Sequence, residues 1–161
     1  MELSRRTYLQ GVGALAVASM AGLSGCASGQ AKPVTEPEPR TRLPTEPSYD
    51  DWFDGVGTYR GTDDLRGRET VTVTVGAKDA FGYFAFDPAA IAVSPGTTVT
   101  WVWSGEGGGH DVVALDGTFA SPLSDRPGTT FGHTFDASGV VTYYCTPHRG
   151  MGMRGAVAIL D

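Results

Sequence analysis

The stretch Val140–Leu160 reads VVTYYCTPHRGMGMRGAVAIL. It opens on a β-branched and aromatic run, Val140–Cys145, and closes on a second apolar run, Gly155–Leu160, so it predicts two short strands joined by a tight loop. Between them stand a thiol (Cys145), an imidazole (His148) and two thioethers (Met151 and Met153). Soft donors held between two strands are placed by the fold and not by the loop alone.

Working outward, the same strand signature recurs. Glu69–Val75, ETVTVTV, alternates polar and apolar residues and reads as a half-exposed strand. Further strands are predicted over Phe81–Phe86, Ala90–Val93, Thr97–Ser104, Asp111–Leu115 and Thr129–Asp136. Ser94-Pro95-Gly96, the glycines of 105–109, Arg126-Pro127-Gly128 and Ser138-Gly139 supply the turns between them. Seven or eight short strands at this spacing predict an all-β fold, an antiparallel β-sandwich. Trp101 and Trp103, two residues apart, share one sheet face and are expected as core or lid aromatics. Tyr49–Phe53 is expected to form a helical turn that lays its aromatics on the sandwich.

The chain has 161 residues, which leaves room for one such domain once its N-terminal third is set aside. Ser4-Arg5-Arg6-Thr7-Tyr8-Leu9 precedes an apolar run too short and glycine-rich to span a bilayer, and it resembles a twin-arginine export signal. That run ends Leu23-Ser24-Gly25-Cys26, which resembles a lipobox, with Cys26 as the lipidated mature N-terminus. Residues 1–25 are accordingly read as a signal peptide, 26–48 as a Pro/Glu/Thr-rich linker and 49–161 as the globular domain. The linker has five prolines after Cys26 and almost nothing apolar to bury, so it is expected to be an extended, solvated tether. The protein is expected on the outer face of the cytoplasmic membrane.

The only other cysteine is Cys145. With Cys26 lipidated it has no disulfide partner, and a lone thiol in an oxidising compartment needs burial or a metal. The net charge is −6 and Arg outnumbers Lys ten to two, which argues against nucleic acid as a partner.

Cys145 and His148 form a C-x-x-H pair, which is weak evidence alone. Structural zinc would need two more Cys or His ligands, and only His110 and His133 remain. His133 lies on an alternating strand without ligand spacing and is expected on the surface or against a neighbouring strand. His110 ends a glycine-rich loop and opens Val112–Leu115, so it is able to aim an imidazole across one end of a sandwich. Two imidazoles, a thiolate and a thioether at one pole make the His₂Cys-plus-Met set that binds copper.

FAFDPAAIAVSPGTTVTWVW (84–103), GGGHDVVALDG (107–117) and YYCTPHRGMGMRGAVAIL (143–160) together resemble the blue copper proteins of the cupredoxin family. The likeness is greatest to the lipid-anchored, plastocyanin-like members found in halophilic archaea, and it covers 49–161. It implies a Greek-key cupredoxin-like sandwich holding one type 1 Cu(I)/Cu(II) ion, with His110, Cys145, His148 and one methionine as ligands. Spacing from His148 allows either methionine. Family members place the axial Met directly before x-G-x-V, a frame that Met153-Arg154-Gly155-Ala156-Val157 fits and Met151 does not, so Met153 is expected as the ligand. Asp111 stands where many members have Asn; it is expected to accept a hydrogen bond from Thr146, and its charge to favour oxidised copper.

The resemblance further implies a monomeric one-electron carrier, not an enzyme, with no small-molecule substrate. Its partners would be membrane-bound redox proteins, with His148 as the electron port. Arg149 and Arg154 would either be solvated or orient an anionic face of a partner. The rival reading is a copper delivery or storage protein, which would use exposed or Met-rich ligands and lacks further His or Met clusters here.

Overall fold

A computed structural model describes residues 39–161. The expected signal peptide, Cys26 and the linker before residue 39 lie outside the described residues. The strands are β1 (Asp63–Asp64), β2 (Thr70–Ala77), β3 (Ala85–Asp87), β4 (Ala90–Val93), β5 (Thr97–Trp103), β6 (Val113–Ala114), β7 (Thr130–Phe135), β8 (Gly139–Tyr144) and β9 (Arg154–Ile159). They form two sheets, ordered β1-β4-β9-β8-β6 and β3-β2-β5-β7.

Alternation in β2 and β5 places Val71, Val73, Val75, Val99, Trp101 and Trp103 on one buried face. Phe86, Ile91, Val93, Tyr143, Val157 and Ile159 join them in one core. Trp101 sits at its centre, with its ring centroid 5.2 Å from those of both Phe119 and Tyr143. His133 is half-buried on β7, packed between Phe119 and Phe135.

The expected sandwich is present, but its pairing is mixed and not antiparallel throughout. β1 with β4, β4 with β9, and β2 with β5 run parallel. Apart from β2–β3 and β8–β9, strands consecutive in sequence are dealt to opposite sheets, so most neighbours in a sheet come from distant parts of the chain. Alternation reports which face is buried and carries no information about a neighbour's direction. Phe81–Phe86 is also shorter as a strand than expected. The Asp79 carboxylate accepts from the backbone N–H groups of Phe81 and Gly82, which bends 79–82 into a turn and leaves Phe81 exposed.

β4 and β9 do not alternate; Ala90–Val93 are all buried, as are 155–159. Their outer face is covered by a layer from upstream, in which Tyr49, Trp52, Phe53 and Tyr59 pack over Ala90 and Ala156. Phe53 and Tyr59 stack at 4.0 Å, and the Tyr49 hydroxyl shares a buried hydrogen bond with Thr62. The end of the stretch read as tether joins this layer. Leu43 N–H donates to the Thr62 carbonyl, Arg40 donates twice to Asp87, and Glu46 accepts from Thr62 N–H and Tyr59 OH.

Gly155 of β9 lies under the ring of Tyr143 on β8, with which it is in register, and a Cβ there would overlap that ring. Tyr143 is wholly buried and cannot move aside. Gly155→Ala should therefore destabilise the fold by about 1–3 kcal/mol through overpacking, as read by denaturant unfolding; unchanged stability would contradict the packing described.

Candidate metal centre

β8 and β9 pair antiparallel up to Tyr144 opposite Arg154. Beyond that rung Cys145 N–H donates to the Met153 carbonyl at 3.1 Å, so the loop 145–153 is closed by the same ladder that builds the sheet. Its interior is closed again: His148 N–H donates to the Cys145 carbonyl, and the N–H groups of Met151 and Met153 both donate to the His148 carbonyl. The Arg149–Met151 turn is a 3₁₀ helix ended by Gly152 at φ 91°, a left-handed conformation that suits glycine.

His110 reaches this loop from the other side of the pole. Its backbone exchanges hydrogen bonds with Ser124, and its carbonyl also accepts from the Trp103 indole N–H at 3.0 Å. Its Nε2–H donates to the Glu106 carbonyl at 2.8 Å, which leaves the Nδ1 lone pair facing inward. Glycines make room for this ring, since a Cβ at Gly107 would lie 2.9 Å from Nε2. The ring of Phe84 packs on His148 with centroids 4.6 Å apart.

Among the described residues, His110, Cys145 and His148 form the group placed to hold a metal ion. Cys145 Sγ lies 3.6 Å from His110 Nδ1 and 3.5 Å from His148 Nδ1, and the two Nδ1 atoms are 3.1 Å apart. His110 and Cys145 are buried and His148 is half-buried. Met153 is 0% exposed, whereas Met151 is 45% exposed on the loop's outer side. Asp111 and Thr146 meet: the Thr146 N–H donates to Asp111 Oδ1 at 2.6 Å, joining the loop of His110 to that of Cys145.

The electrostatics of this pole call for a cation. Burial pushes the Cys145 thiol up to about 11, a tendency only partly opposed by the N–H groups of Asp111 and His148 facing its sulfur. Burial, then the neighbouring His110, lowers His148 below the ordinary imidazole value, which favours the neutral ring that can serve as a metal ligand. A thiolate at neutral pH therefore needs a positive charge in contact with it. Two imidazole nitrogens and a buried thiol, beside a buried thioether residue, are a soft donor set suited to copper and poorly suited to a hard ion.

Several supports of the site were invisible in the sequence. Alternation shows that Trp103 faces the core but not that its N–H is spent on the His110 carbonyl. The Glu106 carbonyl carries no motif, and Phe84, although it opens one of the stretches quoted above, gives no sign there that it packs on His148. Arg154, considered above as a docking charge, donates to the carbonyls of Trp52 and Asp54, and Arg149 lies over the Tyr144 ring at 4.5 Å.

The chain is 41% identical over 162 aligned positions, covering 98% of both chains, to halocyanin of Natronomonas pharaonis. It is 34% identical to plastocyanin of Scenedesmus fuscus over 55% of this chain and 98% of that one. Among solved structures, a purple cupredoxin from Nitrosopumilus maritimus aligns at 28% identity and a TM-score of 0.47, covering 56% of this chain and 99% of that one. The profile of copper-binding proteins of the plastocyanin/azurin family matches residues 71–160, which span β2 to the end of β9 and include all three clustered donors. With more than half its length in that match and a near-full-length relative at this identity, the chain belongs to the plastocyanin/azurin family of copper-binding proteins.

Proposed function

We propose that this protein is a one-electron carrier whose copper is held by His110, Cys145, His148 and Met153. The observation that carries the reading is the convergence of a buried thiol and two imidazole Nδ1 atoms at one pole of a rigid sandwich. Copper bound there supplies a Cu(I)/Cu(II) couple. The chain's part is to hold the donors still: His110 is fixed by Ser124, Trp103 and Glu106, and the other donors by the closed loop between β8 and β9. Donors that cannot rearrange keep one geometry in both oxidation states, which favours electron exchange over substrate chemistry.

Burial of His110, Cys145 and Met153 excludes water and small molecules, which also disfavours ready release of the ion to another protein. His148 is the half-exposed donor, and a redox partner would approach through its side of the pole. Met153 is chosen over Met151 because its side chain is enclosed and its backbone is bonded to both Cys145 and His148. In Asp111 a carboxylate does the joining of the two ligand loops through Thr146.

No helix among the described residues is long and apolar enough to cross a membrane. We propose that the carrier sits outside the cell, held at the membrane by a lipid on Cys26 and moving as a monomer between membrane-bound redox partners. The lipid confines diffusion to two dimensions while the proline-rich segment supplies reach.

The copper-loaded, oxidised protein should show an intense thiolate-to-copper band near the red end of the visible, lost on reduction and missing from Cys145→Ser. A colourless protein holding zinc would overturn the assignment. Met153→Leu should change both the spectrum and the reduction potential, whereas Met151→Leu should leave both unchanged; the opposite pattern would make Met151 the ligand. Cys26→Ser, expressed with the rest of the chain intact, should move the protein from the membrane fraction to the soluble fraction, and continued sedimentation with membranes would argue against the lipid.

A further inference from the structure

The turn Tyr49–Tyr59 lies upstream of the region matched to the family, which starts at residue 71, yet it touches both the ligand loop and the start of β9. The Trp52 indole N–H donates to the Gly155 carbonyl at 2.9 Å. Returning contacts come from Arg154, whose guanidinium donates to the Trp52 carbonyl at 2.8 Å and the Asp54 carbonyl at 2.9 Å. Two cations also lie over the Trp52 ring, with Arg149 at 5.5 Å and Arg154 at 5.7 Å from its centroid. At Gly152 the two backbones abut so closely that a Cβ would be 3.0 Å from the Gly55 carbonyl oxygen.

These contacts fall on both sides of Met153, at Gly152 on one and at Arg154 and Gly155 on the other. The turn is itself anchored away from the site, by the Phe53–Tyr59 stack, by the Tyr49–Thr62 hydrogen bond and by packing on Ala90 and Ala156. An anchored element gripping a loop on both sides of one residue restricts that residue's backbone. On this basis, and resting on the copper reading above, we infer that Tyr49–Tyr59 is a clamp that fixes Met153, with Trp52 and Arg154 as positioning residues for the metal centre.

The test uses the copper-loaded full chain and records its visible spectrum and the rate at which a strong chelator removes copper. Trp52→Ala and Arg154→Ala should each speed removal by about tenfold or more and alter the spectrum. Trp52→Phe, which keeps a smaller aromatic ring under the arginines and loses the N–H, should fall between them and the unaltered protein. Val71→Ala removes core volume on β2, outside both Tyr49–Tyr59 and the ligand loop, so it should lower thermal stability and leave removal rate and spectrum as they were. The clamp is refuted if Trp52→Ala lowers stability alone, or if Val71→Ala speeds removal equally. Absence of the thiolate band from the unaltered protein is a separate outcome, which sinks the copper reading and the clamp with it.

Discussion

The site depends on one rung of hydrogen bonding, the bond from Cys145 N–H to the Met153 carbonyl. It extends the β8–β9 ladder by one step past the last paired residues, Tyr144 and Arg154. Because the ladder fixes both ends of the loop, His148 has only a short closed path on which to sit, and that path turns its ring toward the sulfur. The sheet therefore sets the relative positions of a thiol, an imidazole and a thioether residue. Gly155 under the ring of Tyr143 lies one rung inward of Tyr144 and Arg154, so that close packing and the donor loop share a foundation.

The second sheet supplies what the loop lacks. Trp103 is the last residue of β5, and its N–H reaches the His110 carbonyl, so the core strand itself locates the remote imidazole. The Asp111 carboxylate then binds the Thr146 N–H across the gap between the two loops. A charged acceptor on a backbone donor is stronger than a neutral one, so this bond helps bring unlike loops into one rigid unit. The cost of gathering buried donors is visible in the raised Cys145 thiol and the lowered His148 imidazole, and a bound cation removes that cost.

The upstream layer explains a feature of the sandwich as well as the grip on the loop. β4 and β9 are buried on both faces, and small residues at Ala90 and Ala156 leave room for Tyr49, Trp52, Phe53 and Tyr59 to lie flat against them. A sheet edge that ended at β4 is extended by β1 and by the bridge of Arg42 with Asp63. Residues before the sandwich thus serve its stability and its donor loop together.

Much of this was determined by local pattern. ETVTVTV and TTVTWVW alternate because each covers one side of a core, so their strands and inward residues follow from the sequence alone. The C-x-x-H spacing puts Cys145 and His148 on one loop because three intervening bonds allow little else. Pairing direction was not legible, since alternation is the same for parallel and antiparallel neighbours. β1 leaves no mark in the sequence because Asp63-Asp64 has no apolar pattern and is a strand only by virtue of its partners. Tertiary structure alone brought His110 to 3.6 Å from a sulfur 35 residues away, enclosed Met153 while leaving Met151 outside, and turned Trp52 toward the loop. Each depends on contacts between segments far apart in the chain, whereas sequence pattern encodes only what neighbours along the chain impose on one another.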